Sequence, residues 1–305
     1  MYVPTLRAKE GELRALSKMQ DFGQSSNSLL PNLIINDASI EVLNTIKRKY
    51  SGPKLLDVRD LNVDEIETLE EILKENPDNY KDFTIVYPVN ILIDSTTDAS
   101  YDYIRISKHH MNLFFIQWIE QNNVKLPENI IIDFEFIDDK ISTSLIESVI
   151  KLVNLIKSKN VIITSGAIPS NVPVKSTINY ELERYEKKLF DVIQKETNSK
   201  SLTYGDYCTV CPIPFDSDSI PIPIVQLKYT LGDKYWFVRN GQRRGDYDFV
   251  AVCTEIVESV NNFDPNYSWG DNFIHEVVKN KKNKGNPSVW VSVGVSHHIQ
   301  FCLDE

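Results

Sequence analysis

Cysteine is scarce in this chain: Cys208, Cys211, Cys253 and Cys302 are the four in 305 residues. Four thiols cannot staple a chain of this length, so a disulfide-built secreted scaffold is excluded and a reducing compartment is expected. No apolar run approaches the ~18 residues that a membrane helix needs. The opening Met1–Arg7 lacks the basic-then-apolar order of a signal peptide. The expectation is therefore a soluble cytoplasmic protein without a membrane partner. Positive charge is also short: 33 Lys and Arg stand against 43 Asp and Glu, a formal net charge of -10. Such a surface repels phosphate backbones, which argues against nucleic acid as the partner. A P-loop, a nucleophile elbow, a His-rich metal run and a solenoid repeat are all missing from the sequence.

What is present is alternation. Short apolar runs at Tyr2–Arg7, Leu29–Ile35, Pro53–Val58, Phe83–Pro88, Asn129–Phe136, Asn160–Thr164, Ser201–Tyr204 and Val225–Tyr229 read as strands. Between them lie stretches with apolar residues at helical spacing, such as Ile66, Leu69 and Leu73 within Val63–Glu75. Tyr180–Glu196 reads as one long charged helix, and Asn90–Ser107 as a loop or an extra strand. Strand–helix alternation implies parallel strands, and eight such units fit a (β/α)8 TIM-like barrel with a C-terminal hairpin/helix extension. One domain, 1–305, is expected, with the barrel over about 1–232 and the extension over about 233–305 packed on it.

Polar clusters follow several of these runs, where a barrel gathers its functional groups. Asp133 and Glu135, two apart on a strand, share a face and can hold a divalent metal such as Mg or Mn or split acid and base roles. Asp206 follows Gly205, which permits a sharp exit from the strand and places the acid at the mouth. His297–His298 reads as part of a β-like tail, with one imidazole, His298, reaching the site as a proton carrier. Asp57 ends the third strand after two leucines and needs a partner, Arg59 or Lys54. Lys228 and Arg239 suit an anion. Tyr207, Trp269 and Trp290 are candidates for an aromatic wall, with ordinary core packing as the alternative. Ser268–Trp269–Gly270–Asp271 adds a further carboxylate. Cys208–Thr209–Val210–Cys211 stands alone, without a second ligand pair, and reads as structural. The lysine run Lys279–Lys284 reads as a solvated loop.

These residues form a pattern. Tyr2-x-Pro4, Lys9-x-Gly11–Glu12, Gly166–Ala167-x-Pro169, Gly205–Asp206–Tyr207, Trp236-x-Val238–Arg239, Ser268–Trp269–Gly270–Asp271 and Gly285–Asn286–Pro287-x-x-Trp290 before His297–His298 together resemble the phage and bacterial beta protein family. The resemblance spans nearly the whole chain and is most specific at its C-terminal end. It marks Lys9, Glu12, Gly205, Asp206, Tyr207, Arg239, Trp269, Asp271, Trp290 and His298 as site candidates without assigning a reaction. It implies a ligand- or protein-binding component of bacterial antiviral defence, whose partner is a protein of a defence operon or a phage-derived ligand. A hydrolase or lyase acting on a phosphate-containing substrate is the alternative. One departure stands out: similar proteins carry Pro-x-x-Glu on the second strand, whereas Pro31 here is followed by Asn32, Leu33 and Ile34.

Overall fold

The computed structural model describes residues 1–23, 28–94, 101–121, 126–157, 159–197, 202–213, 224–242, 248–282 and 285–305. The Ser-rich stretch at 24–27, Lys284 of the lysine run, and the expected element ends Asn122, Ser201 and Tyr247 lie outside the described residues.

Eight parallel strands close into a barrel. They are β1 (Tyr2–Arg7), β2 (Asn32–Ile34), β3 (Lys54–Asp57), β4 (Phe83–Pro88), β5 (Tyr103–Ser107), β6 (Asn129–Phe136), β7 (Asn160–Gly166) and β9 (Leu202–Asp206). The seam closes where β9 pairs with both β7 and β1, setting Gly205 beside Thr164 and Val3. Helices α1 (Glu10–Asp21), α2 (Ile40–Lys49), α3 (Val63–Glu75), α4 (Pro77–Tyr80), α5 (Asn90–Asp94), α6 (Leu113–Gln121), α7 (Thr143–Leu155) and α8 (Tyr185–Thr197) belong to the connections between these strands. The third helix begins with a reciprocal capping box between Asn62 and Glu65, two orphan amides satisfied at once.

A second unit grows out of the barrel. Strand β8 (Tyr180–Glu183) leaves it between β7 and α8 and joins β10 (Ile224–Leu231) and β11 (Lys234–Gln242) in a three-stranded antiparallel sheet. Three helices follow: α9 (Phe249–Ser259), α10 (Trp269–Asn280) and α11 (Pro287–Asp304). The last is buried around its circumference, including Trp290, Val293, Val295, His297, His298, Ile299 and Cys302. A helix apolar all round needs cover on all sides. It finds that cover between the barrel, where Val295, Ile299 and Cys302 join the core containing Tyr2 and Leu16, and the small sheet, where Trp290 and Val293 join Val225 and Leu227.

Several expectations are corrected. Val225–Tyr229 is not the eighth barrel strand; it pairs antiparallel with β11, and Tyr103–Ser107 supplies the barrel strand instead. Tyr180–Glu196 is a strand followed by a helix, because Tyr180–Glu183 pairs with the β11 edge. The expected β-like tail around His297–His298 is the middle of α11. Ser268 and Asn286 do not follow strands; their side chains cap α10 and α11 by accepting from the Asp271 and Val289 amides.

Candidate functional site

Side chains two apart on a strand share a face, and this periodicity builds the barrel mouth from below. Val3, Leu55, Val86, Ile131 and Ile162 plug the interior. Two residues further along stand Thr5, Asp57, Asp133 and Thr164, and Arg105 stands two beyond Tyr103, which packs against the plug; all five are buried. Asp133 is the hub. Its Oδ2 accepts from Arg105 Nε at 2.8 Å and from Tyr207 Oη at 2.6 Å, and lies 2.9 Å from Arg59 Nη1. Arg59 also donates to Tyr207 Oη at 2.7 Å and to Asp57 Oδ2, which in turn accepts from Asn32 Nδ2 at 3.2 Å. Arg105 Nη2 donates to Glu135 Oε1 at 2.7 Å. Burial pushes the Asp133 carboxyl up, but Arg59 and Arg105 outweigh it and hold the group below the ordinary carboxylate range. Burial, reinforced by Asp133, pushes the Tyr207 phenol well up, so it stays a donor.

Asp206 precedes Tyr207 by one residue and therefore points the other way, out of the barrel and under α11. Its Oδ1 accepts from Tyr2 Oη at 2.5 Å and the Cys208 amide at 2.8 Å; its Oδ2 accepts from Tyr204 Oη at 2.8 Å and His298 Nε2 at 2.9 Å. An anionic acceptor on Nε2 fixes the proton there, leaving His298 Nδ1 to accept from Thr230 Oγ1 at 2.7 Å. Burial drives the His298 imidazole down, against the pull of Asp206. Burial opposes ionisation of Asp206 as well, but His298 prevails and its carboxyl titrates far below the usual range. Thr230 continues the chain: its carbonyl faces His297 Nε2 at 3.0 Å, and His297 Nδ1 lies 2.9 Å from Asp271 Oδ2. Asp271 also accepts from Ser268 Oγ and Tyr229 Oη, both at 2.6 Å.

The expectation that Asp206, Asp271 and His298 meet at the barrel rim is thus corrected in place. They do join one network, but it is a buried seam between barrel wall, sheet and α11, with Asp206 and His298 0% exposed and Asp271 1%. Trp269 and Trp290 share no wall with Tyr207. Trp290 stacks on Phe249 at 3.9 Å and Trp269 packs near Phe273, within the core of α9–α11. Arg239 donates to the Val174 and Lys175 carbonyls, tying down the chain after β7, and Lys228 donates to the Thr209 carbonyl at 3.0 Å. Burial lowers the Lys228 ammonium to about 8. Lys9 is exposed at the start of α1. Glu12 is buried, accepts the Arg7 amide at 3.0 Å and is pushed up to about 7 by burial.

Arg105 was not singled out in the sequence, although the alternation Tyr103–Ile104–Arg105–Ile106–Ser107 is the signature of a strand with one polar face. Arg184 was missed too. It grips Glu305 with both Nη atoms, at 2.9 and 3.0 Å, and donates to Cys302 Sγ at 3.3 Å. Nothing local in the sequence pairs it with the last turn of α11.

The mouth does not fit the Mg or Mn expected there. A hard cation needs open carboxylate oxygens, and Asp133 Oδ2 already holds two guanidinium groups and a phenol. Asp206, His298 and Cys302 hold potential ligand atoms within 4.8 Å of one another. There, however, both Asp206 oxygens are taken by donors and the Arg184 guanidinium abuts the thiol, so the set works as a hydrogen-bond knot.

The closed parallel barrel with its polar C-terminal mouth defines a TIM-like (β/α)8 protein. The family model described as Beta protein matches residues 118–304, more than half of the chain, and the chain belongs to that family. No curated protein and no solved structure matches it. Among the described residues, no helix is long and apolar enough to cross a membrane.

Proposed function

We propose that this Beta protein family member is a binding barrel of bacterial antiviral defence, recognising a phage-derived ligand or a defence-operon protein at its C-terminal mouth. The observation that carries the binding reading is the state of Asp133. It is buried, anionic and saturated by Arg59, Arg105 and Tyr207, so it is built to hold donors in place rather than to take a proton. The family resemblance supplies the defence setting. Bacteria carrying the wild-type gene, with its genomic neighbours, should resist phage plating; Arg59→Gln with Arg105→Gln should lose that resistance at equal soluble protein. Equal plating on wild-type, mouth-variant and empty-vector strains sinks the reading.

A second reading, a hydrolase or lyase working on a phosphate-containing substrate, draws on Glu12. A buried carboxyl near pH 7 in the first turn of α1 is poised to exchange a proton. Turnover of a phosphoester panel that Glu12→Gln abolishes would favour it.

A further inference from the structure

We infer that Glu135 is an internal stand-in for an oxyanion, and that the mouth takes a small-molecule carboxylate or phosphate in its place. The inference rests on reading the mouth as the ligand site. Glu135 sits at an irregularity of β6, where the register with β7 jumps from Asp133 to Phe136. Its φ is 58°, left-handed backbone that a residue with a Cβ seldom adopts. The bend is held by Asp133 itself, whose Oδ1 accepts the Glu135 amide at 2.8 Å. The result is an asymmetric ion pair: Arg105 is 6% exposed, while the carboxylate on its Nη2 is 39% exposed. The deep Arg105 contact, with Asp133, is fixed; the outer one faces solvent.

Charge balance points the same way. The mouth groups Asp57, Asp133 and Glu135 with Arg59 and Arg105, three carboxylates against two guanidinium groups. Once Glu135 swings out, two of each remain, and an incoming monoanion restores the balance the free protein already tolerates. Its oxygen accepts the same Nη2 proton, so no buried donor is left unmet. Lys108, exposed directly after β5, donates to the Phe136 carbonyl at 3.5 Å and places a further cation beside the approach.

The test titrates the full chain with inorganic phosphate and, separately, acetate by calorimetry at low ionic strength and about pH 6, where each is mainly a monoanion. Glu135→Gln, which removes the resident anion, should bind one or both about threefold to fivefold tighter than wild type. Lys108→Gln, a surface change that leaves the fold intact, should weaken binding in both backgrounds, and Arg105→Gln should abolish it. Preference for phosphate or for acetate names the class. Equal affinities of wild type and Glu135→Gln, or no saturable binding in either, overturn the inference. Loss of phage resistance in the mouth variants without anion binding removes only this ligand class; anion binding without any resistance phenotype removes only the defence role.

Discussion

Asp206 and Tyr207 are neighbours in the chain, yet their side chains lie on opposite sides of the barrel wall. Tyr207 Oη reaches Asp133 in the mouth, while Asp206 is held by Tyr2, Tyr204 and His298 beneath the last helix. Gly205, just before them, lets β9 close the barrel: a Cβ there meets the Val3 carbonyl oxygen at 2.5 Å. One strand end therefore serves two polar systems, one facing the mouth and one locking α11 to the barrel.

Asp133→Asn tests the hub. The substitution keeps the shape but leaves two buried guanidinium groups facing a neutral amide. Breaking a buried pair from one side costs about 3–5 kcal/mol, and urea unfolding should show a loss of that size. Tyr207→Phe, which removes the donor to Asp133 and the acceptor for Arg59, should cost less, about 1.5–3 kcal/mol. A near-neutral Asp133→Asn would mean that water already screens the cluster.

Glu12 makes stability fall with rising pH. Its folded value, about 7, lies above the ordinary carboxyl value, so the folded state holds a proton that the unfolded chain gives up. Stability from this group is complete below about pH 4.3 and is lost as pH rises to about 7, roughly 2–4 kcal/mol in all. Glu12→Gln lacks the titration. Its unfolding free energy relative to wild type should improve by that amount between pH 4.5 and 7.5; parallel profiles would refute the assignment.

Gly270→Ala probes the C-terminal cluster as packing. A Cβ at this position meets the Val293 carbonyl oxygen at 2.4 Å, so α10 and α11 must separate. Overpacking of this kind costs about 1–3 kcal/mol. Ser268→Ala removes both the helix cap and a donor to Asp271 and should cost about 1–2 kcal/mol. Thermal melts of the two variants read both effects.

The thiols should react unequally. Cys208, Cys253 and Cys302 are buried, and burial pushes each of these thiols up, whereas Cys211 is partly exposed. A chromogenic disulfide reagent should titrate one thiol rapidly in the native protein and four in denaturant. Fast labelling of Cys302 would show that α11 opens readily.

The chain on its own was enough to indicate the barrel. Continuous apolar runs such as Ile130–Ile131–Ile132 mark strands covered on both faces, and these short-range patterns survive folding unchanged. Asp133 was legible as a mouth candidate because its position at a strand end is local information, whereas Tyr207 read only as part of an aromatic wall and Asp206 was assigned the mouth position that Tyr207 holds. Only the tertiary structure decided which strand was the eighth, since Tyr103–Ser107 and Val225–Tyr229 are equally strand-like and pairing partners are not written locally. It also decided that Asp206, Asp271 and His298 meet behind the wall and not at the rim. Which way a side chain points depends on register, and a shift of one residue on β9 exchanges the two faces. The destination of α11 depends on the surface left uncovered at the closing seam between β9 and β1, which exists only after the barrel has formed.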